Sequence, residues 1–439
     1  SFKHALLEDA AYGALLKRQR SDLHRRAATV IVEQFTRIAN EQPEILAQHW
    51  TQAGEPARAV PVWQKAGRLA TTRRALKEAQ SAYEQAIALL AALPQTPDRD
   101  LLEFALQSTL ADVLQITRGY SAPQTVAAMS RARLLVGAGG RLSPKLRQAQ
   151  AEWAAASSAG NNAQAGSLAD RFLSLAQADG RPANLAQAHM IQMTSLYRVG
   201  NLIGAEDAFR TGAPFFEAPE FARRPGVCAQ TFGNAALIAW MLDDMDEAQR
   251  RIASALGRSL DTGHPYDLTF AQSMTAVFAV LASDMDKAEE IAERSLALCQ
   301  EHGFPQIMPI SRIVLGRARA GLGRRAEGIA LIREGLGAMD EAGIRVAITE
   351  YLTWLAEAQA FDGALDDAVQ SADEALKINP QELFFRPESL RLRGEFKLAL
   401  GRKADAEADF SEAMTLAKRM GAKLFHARAA ASLERTNRN

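Results

Sequence analysis

Small, apolar and polar positions recur along this chain with a long, regular beat. The set Ala236, Ala248, Ile252 and Ala255 is followed by Ala276, Ala288, Ala292 and Ser295, and then by Gly316, Gly328, Ile332 and Gly335. Ala356, Ala368, Ala372 and Ala375, then Gly394, Ala406, Phe410 and Ala413, continue the series with the same internal offsets. An earlier copy stands at Gly67, Ala79, Tyr83 and Ala86, and a looser one at Ala205, Phe209 and Gly212, where Met193 replaces the first small residue. Chain breakers keep the same time. Gly263, Gly303 and Gly343 are forty residues apart, each following a helical run, where a left-handed residue can close the last turn. Alanine is abundant, so one match is cheap; phase kept over five successive units is not.

Physical chemistry says what such a set does. Two antiparallel helices cross closely only where no bulky side chain separates their backbones. One small residue on the first helix, and two on the second seven residues apart on one face, provide that crossing, and the apolar residue between them fills the groove. Each hairpin leaves an apolar flank it cannot bury alone, so the next hairpin covers it and the core runs along an array. Usage rich in Ala, Leu, Arg, Glu and Gln, with alternating β-branched runs nearly absent, agrees: the chain is expected to be all-α.

Residues 17–96 are expected to form N-terminal helical pairs including a first repeat unit, residues 97–184 less regular hairpins, and residues 185–439 the regular array. In the middle segment, "ITRGYSAPQT" (116–125) reads as a turn and a helix start with Ser121 as cap and Pro123 in the first turn. "VGAGGRLSPK" (136–145) is the one glycine cluster; it lacks the Lys-Ser/Thr ending of a phosphate loop and reads as an interhelical turn.

Charge and cysteine usage narrow the function classes. Lys plus Arg equals Asp plus Glu at 51 each, so no net field draws the molecule to nucleic acid or anionic lipid. Cys228 and Cys299 lie in apolar helical runs and are expected as buried thiols. No run approaches the ~18 apolar residues that span a bilayer, and a cytoplasmic location without membrane contact is expected. The seven histidines are scattered without metal-ligand spacing, and no nucleophile elbow or paired-cysteine motif occurs. No catalytic residue, metal site or cofactor is therefore assigned. "DDMDEA" (243–248) and "DMDKAEE" (284–290) read as acidic starts of second helices, and "KRQRSDLHRR" (17–26) as a solvated basic face.

The small, small, apolar, small signature resembles the tetratricopeptide repeat, most closely in "LRLRGEFKLALGRKADAEADFSEAM" (390–414). That resemblance implies an α-solenoid of antiparallel hairpins wound as a right-handed superhelix. The period of about 40 exceeds the family's 34 and implies helices extended by about one turn, and the family's regular aromatic positions are mostly missing. Placing first-helix positions by this register nominates Trp240, Phe270, Arg317, Glu350, Glu357, Arg391 and Glu395 for a concave surface that would take a protein or peptide segment. The alternative for any one of them is packing or ion pairing between neighbouring repeats.

The opening "SFKHALLEDAAYGALL" (1–16), with "LHRRAA" (23–28) and "PEILAQHWTQAGEPARAVPVWQKAGRLA" (43–70), resembles the passage leaving the nucleotide-binding module of class III adenylate/guanylate cyclases that carry a signal-transducing (STAND-type) ATPase and a tetratricopeptide-like tail. This resemblance implies that residues 1–16 are the remnant of a winged-helix segment, that His4 is a phosphate sensor where the NTPase module is attached, and that ATP belongs to that module and not to this chain. It further implies a non-catalytic regulatory region acting on its own N-terminal NTPase or cyclase domains. The effector-binding region of a STAND-type transcriptional regulator and a stand-alone repeat adaptor are the alternatives.

Overall fold

The computed structural model describes residues 15–119, 122–135, 142–222, 226–262 and 265–438. His4, Ser121, Gly263 and most of the 136–145 glycine cluster lie outside them. Every regular element among the described residues is helical. The chain divides into two compact units, residues 1–117 with 122–140, and residues 118–121 with 141–439.

The first unit contains α1 (Lys17–Gln34), α2 (Thr36–Glu41), α3 (Pro43–Gln52), α4 (Pro56–Thr72), α5 (Leu76–Leu90), α6 (Pro97–Arg118) and α7 (Pro123–Leu135). Prolines open α3, α4, α6 and α7, where their missing N–H costs nothing. In the α4/α5 hairpin the earliest repeat set does what its register implies: a Cβ added to Gly67 would lie 2.5 Å from the Tyr83 ring. Ala79 and Ala86 are fully buried beside it. The irregular part is fastened by charge. Glu103 accepts from Arg131 at 2.5 and 3.0 Å and from Arg99 at 3.0 Å, and the Arg131 bonds hold its carboxyl below the usual carboxylate range. The basic run lies on α1, half exposed and half partly buried, with Arg25 bonded to Asp22 and Glu55.

The second unit begins with α8 (Leu142–Ser158), α9 (Asn162–Asp179), α10 (Pro182–Arg198), α11 (Leu202–Gly212) and the short α12 (Pro219–Ala222). Four hairpins follow: α13 (Val227–Met241) with α14 (Met245–Thr262), α15 (Pro265–Leu281) with α16 (Met285–His302), α17 (Met308–Gly321) with α18 (Arg325–Glu341), and α19 (Ile348–Phe361) with α20 (Leu365–Ile378). The fifth is α21 (Arg386–Ala399) with α22 (Lys403–Met420), and α23 (Lys423–Arg438) packs on it. The repeat sets are the crossings of these hairpins. Ala236, Ala248, Ala255, Ala276, Ala288, Ala292, Ser295, Ala356, Ala368, Ala372, Ala375, Ala406 and Ala413 have no exposed surface. At the tightest crossing a Cβ on Gly316 would meet the Gly328 carbonyl oxygen at 2.6 Å, and one on Gly328 would press the Gly316 carbonyl in return.

The turns repeat as faithfully. Gly303 and Gly343 close second helices at φ +72° and +65°. After each first helix another left-handed residue starts the descent: Gly323, Gly363 and Gly401 in three hairpins, but Asp243 (φ 69°) and Ser283 (φ 64°) in two others. The acidic runs are helix starts: Asp244 accepts from the Glu247 N–H at 3.1 Å and Asp284 from Lys287 at 3.3 Å.

Candidate interaction surface

The nominated residues all stand on the first helices of the second unit's hairpins, in the row that register assigns them. The structure fills that row with contacts instead of leaving it open, which corrects the expectation of exposed positions. Arg317 clasps Glu357 of the next hairpin through Nη2 at 3.0 Å and Nε at 3.1 Å, with its guanidinium 5.0 Å over the Phe361 ring. Arg391 clasps Glu388 at 2.8 and 2.9 Å and reaches Glu395 at 3.4 Å. Glu395 also accepts from Ser432 and Arg435 of α23, both at 2.5 Å, and Arg428 reaches Glu388 at 3.1 Å. Arg317–Glu357 and the bonds from α23 tie neighbouring elements, whereas Arg391 pairs with Glu388 and Glu395 within α21; Arg428, Ser432 and Arg435 were not nominated from the sequence. Arg428 and Arg435 repeat the spacing of Glu388 and Glu395 forty residues later, which is the signal that identifies them.

Trp240 is 2% exposed. Phe425 stands edge-on to it at 5.6 Å and Arg428 lies 5.1 Å over its ring, so α23 covers the position that register left open. A cleft of about 110 Å³ remains beside them, lined by Asp243, Met245, Leu281, Leu424 and Arg428 as well as Trp240. Phe270 is half-buried, 6.2 Å from Tyr266 between ring centres. Glu350, 3% exposed, is sunk among Tyr197, Arg198, Tyr351 and Glu382, and burial raises its carboxyl to about 8, with Arg198 opposing and Glu382 adding to the rise.

That last cluster belongs to a seam no local pattern announces. The loop between α20 and α21 meets the α10–α11 turn: Leu383 N–H donates to the Arg198 carbonyl at 2.9 Å, and Phe384 packs on Tyr197 at 4.6 Å. Nearby, Arg345 N–H donates to the Ser158 carbonyl at 2.8 Å and the Asn379 amide to the Gly160 carbonyl at 3.3 Å. The array has curved far enough for its later hairpins to rest on its earlier ones. Arg198 and Glu382, 184 residues apart, are 3.4 Å from each other.

The chemistry of these groups is that of recognition and fastening. Burial pushes the Cys228 and Cys299 thiols up to about 11 and 12, so neither is a ready nucleophile. Among the described residues no three His, Cys, Asp or Glu side chains are grouped to hold a metal ion, and no helix is long and apolar enough to cross a membrane.

With this geometry in view, comparison with known proteins shows the fold. No family model matches the chain. A Rap protein solved in complex with Competence and Sporulation Factor superposes on 84% of this chain and 98% of its own, at a TM-score of 0.61 and 14% identity. The Cut9–Hcn1 hetero-tetramer of the APC/C gives a TM-score of 0.48 at 11% identity over 94% of this chain and 87% of its own. The helical hairpins, together with the Rap superposition, make the fold an all-α, tetratricopeptide-like solenoid. In sequence, an uncharacterized protein of Rhizobium meliloti (strain 1021) is 23% identical over 453 residues, covering 98% of this chain. The chain spans 43% of that relative's length.

Proposed function

We propose that this chain is a non-catalytic regulatory region that captures a protein or peptide segment on the inward face of its helical array. The observation that carries the reading is the ladder of paired charges and aromatic rings along that face, from Trp240 through Arg317 and Glu357 to Arg391 and Glu395. Mixed cationic, anionic and aromatic groups suit a peptide better than a uniform polyanion, since each can exchange an internal partner for one on the ligand. The Rap structure of similar fold holds a second molecule, its Competence and Sporulation Factor.

The finer reading is that the array biases an attached signalling ATPase or nucleotidyl cyclase, with ATP bound there and with His4 sensing its phosphates. The resemblance of residues 1–70 to the exit of such modules supports it. A ligand that binds one curvature of the array more tightly shifts the attached module toward the matching state, by no more than that difference in affinity.

Panning a random dodecapeptide library against the immobilised chain tests the capture reading. Selected peptides are expected to bind at least tenfold more weakly to the charge-exchanged variant R317E/E357R, which keeps an ion pair while reversing its polarity. No enrichment over an unrelated helical array, or equal binding by the variant, overturns it. Calorimetry with ATP is expected to show no binding to this chain alone.

A further inference from the structure

The Arg198–Glu382–Glu350 cluster sits where the array closes on itself, and its charges do not balance. Two carboxyl groups face one guanidinium in a place with almost no solvent: Glu350 is 3% and Glu382 1% exposed. The groups facing Glu350 are Tyr197 and Arg198 of α10, Tyr351 of its own helix and Glu382 of the α20–α21 loop. One guanidinium neutralises one carboxylate, and a second bare negative charge in such a place is costly enough that a proton is taken up instead.

Burial raises both carboxyls, and geometry says which of them keeps its charge more readily. Glu382 accepts from the Ala347 N–H at 2.8 Å and the Thr349 N–H at 3.2 Å, at the N-terminus of α19, and from Arg198 at 3.4 Å. Helix N-termini favour negative charge. Glu350 stands in the first turn of the same helix and shares that dipole, but it lacks the N–H donors: its Oε1 makes no hydrogen bond among the described residues, and neither does Arg198 Nε.

We propose that this cluster is a proton-linked clasp: Glu350 must carry a proton for the α20–α21 loop to seat on the α10–α11 turn, so the array closes more firmly in acid and loosens as pH rises. Parting the seam uncovers Tyr197 and Phe384, aromatic surface next to the inward face. Its bearing on partner capture rests on the reading above; the clasp itself does not.

The sign follows from linkage. Burial raises the Glu350 carboxyl to about 8 when the clasp is shut, whereas an open clasp returns it toward the ordinary carboxylate range. The shut state therefore binds the extra proton. Its advantage is complete below the ordinary range, declines through the interval up to about 8, and is level beyond.

Hydrogen exchange on the full chain tests this at the Ala347 and Thr349 amides that Glu382 holds. After correction for the intrinsic pH dependence of exchange, their protection is expected to fall by nearly tenfold per pH unit, about the limit for one linked proton, between about pH 6 and 8. Glu350→Gln, which is neutral at every pH, is expected to remove that dependence. Protection independent of pH in the parent chain, or the same titration in E350Q, overturns the proposal. Should E350Q fail to fold, carbon-13 NMR of glutamate-labelled parent chain decides: one carboxyl titrating near 8 supports the clasp, and all titrating in the ordinary range overturns it. Peptide panning does not enter either readout, so failure of the clasp and failure of the capture reading are told apart.

Discussion

Arg251 grips both carboxylate oxygens of Glu206 at 2.7 Å, although the two residues are 45 positions apart and sit in successive hairpins. The guanidinium also donates to the Ala235 carbonyl at 3.0 Å and lies 4.2 Å over the Phe209 ring, so this is a buried rivet and not a surface pair. Removing one partner of a buried pair leaves the other uncompensated, at a cost of about 3–5 kcal/mol. Arg210 still reaches Glu206 at 2.6 Å, so Arg251→Met is expected at the lower end, about 3 kcal/mol, by urea unfolding. The double variant E206M/R251M is expected to recover most of that loss. Burial works against the Glu206 charge, yet the Arg251 and Arg210 bonds hold its carboxyl below the usual carboxylate range. Its stabilisation is therefore present above that range and is lost as pH falls through the lowered value, a decline that R251M should flatten.

The Gly316–Gly328 crossing separates two kinds of glycine in one hairpin. A methyl group at Gly316 has no room against the Gly328 carbonyl, and Gly316→Ala is expected to cost about 1–3 kcal/mol as the helices are forced apart. Gly337, in α18, has nothing within 4 Å of its missing Cβ, and Gly337→Ala is expected to stabilise by about 0.5–1 kcal/mol. Ala288→Trp, at a fully buried crossing, should disrupt its joint more than Gly316→Ala does. Thermal unfolding of the three variants checks the order; equal effects of the two glycine changes would refute the close-crossing account.

Those glycines and alanines were legible in the sequence because a close helix crossing imposes a local, periodic demand: small residues at fixed offsets, repeated wherever a hairpin repeats. The seam was not legible. Arg198 and Glu382 meet only because the curvature of several hairpins accumulates, and curvature is set by small rotations at each joint that leave no mark at either residue. The same gap explains Trp240. Register nominates it for the inward face, but nothing near it in sequence says that Phe425 and Arg428 return to cover it. Glu350 misled for a related reason: a carboxylate on a predicted trough suggests solvent, whereas long-range closure buried it.

Ser283 occupies a turn position that three other hairpins give to glycine, at φ 64°. A left-handed conformation costs an L-residue roughly 1–2 kcal/mol, while glycine's greater freedom in the unfolded chain returns about 0.5–1 of that advantage. Ser283→Gly is therefore expected to stabilise the chain by about 0.5–1 kcal/mol in urea unfolding. A loss of stability would show that the Ser283 side chain makes a contribution its geometry does not reveal.

Trp240 and Phe425 provide the measure of whether α23 rests on the inward face in solution. Their rings meet edge-on with centres 5.6 Å apart, an arrangement worth about 0.5–1.5 kcal/mol beyond area burial. Each residue also packs elsewhere: Phe425 against Phe385 at 5.7 Å, and Trp240 under the Arg428 guanidinium, so single substitutions report more than this contact. A double-mutant cycle with Trp240→Leu and Phe425→Leu subtracts those other contributions and is expected to return about 1 kcal/mol of coupling. Coupling near zero at pH 6, where the clasp at Glu350 is shut, would mean that the final helix does not cover Trp240. The cleft beside it would then be the mouth of an open trough.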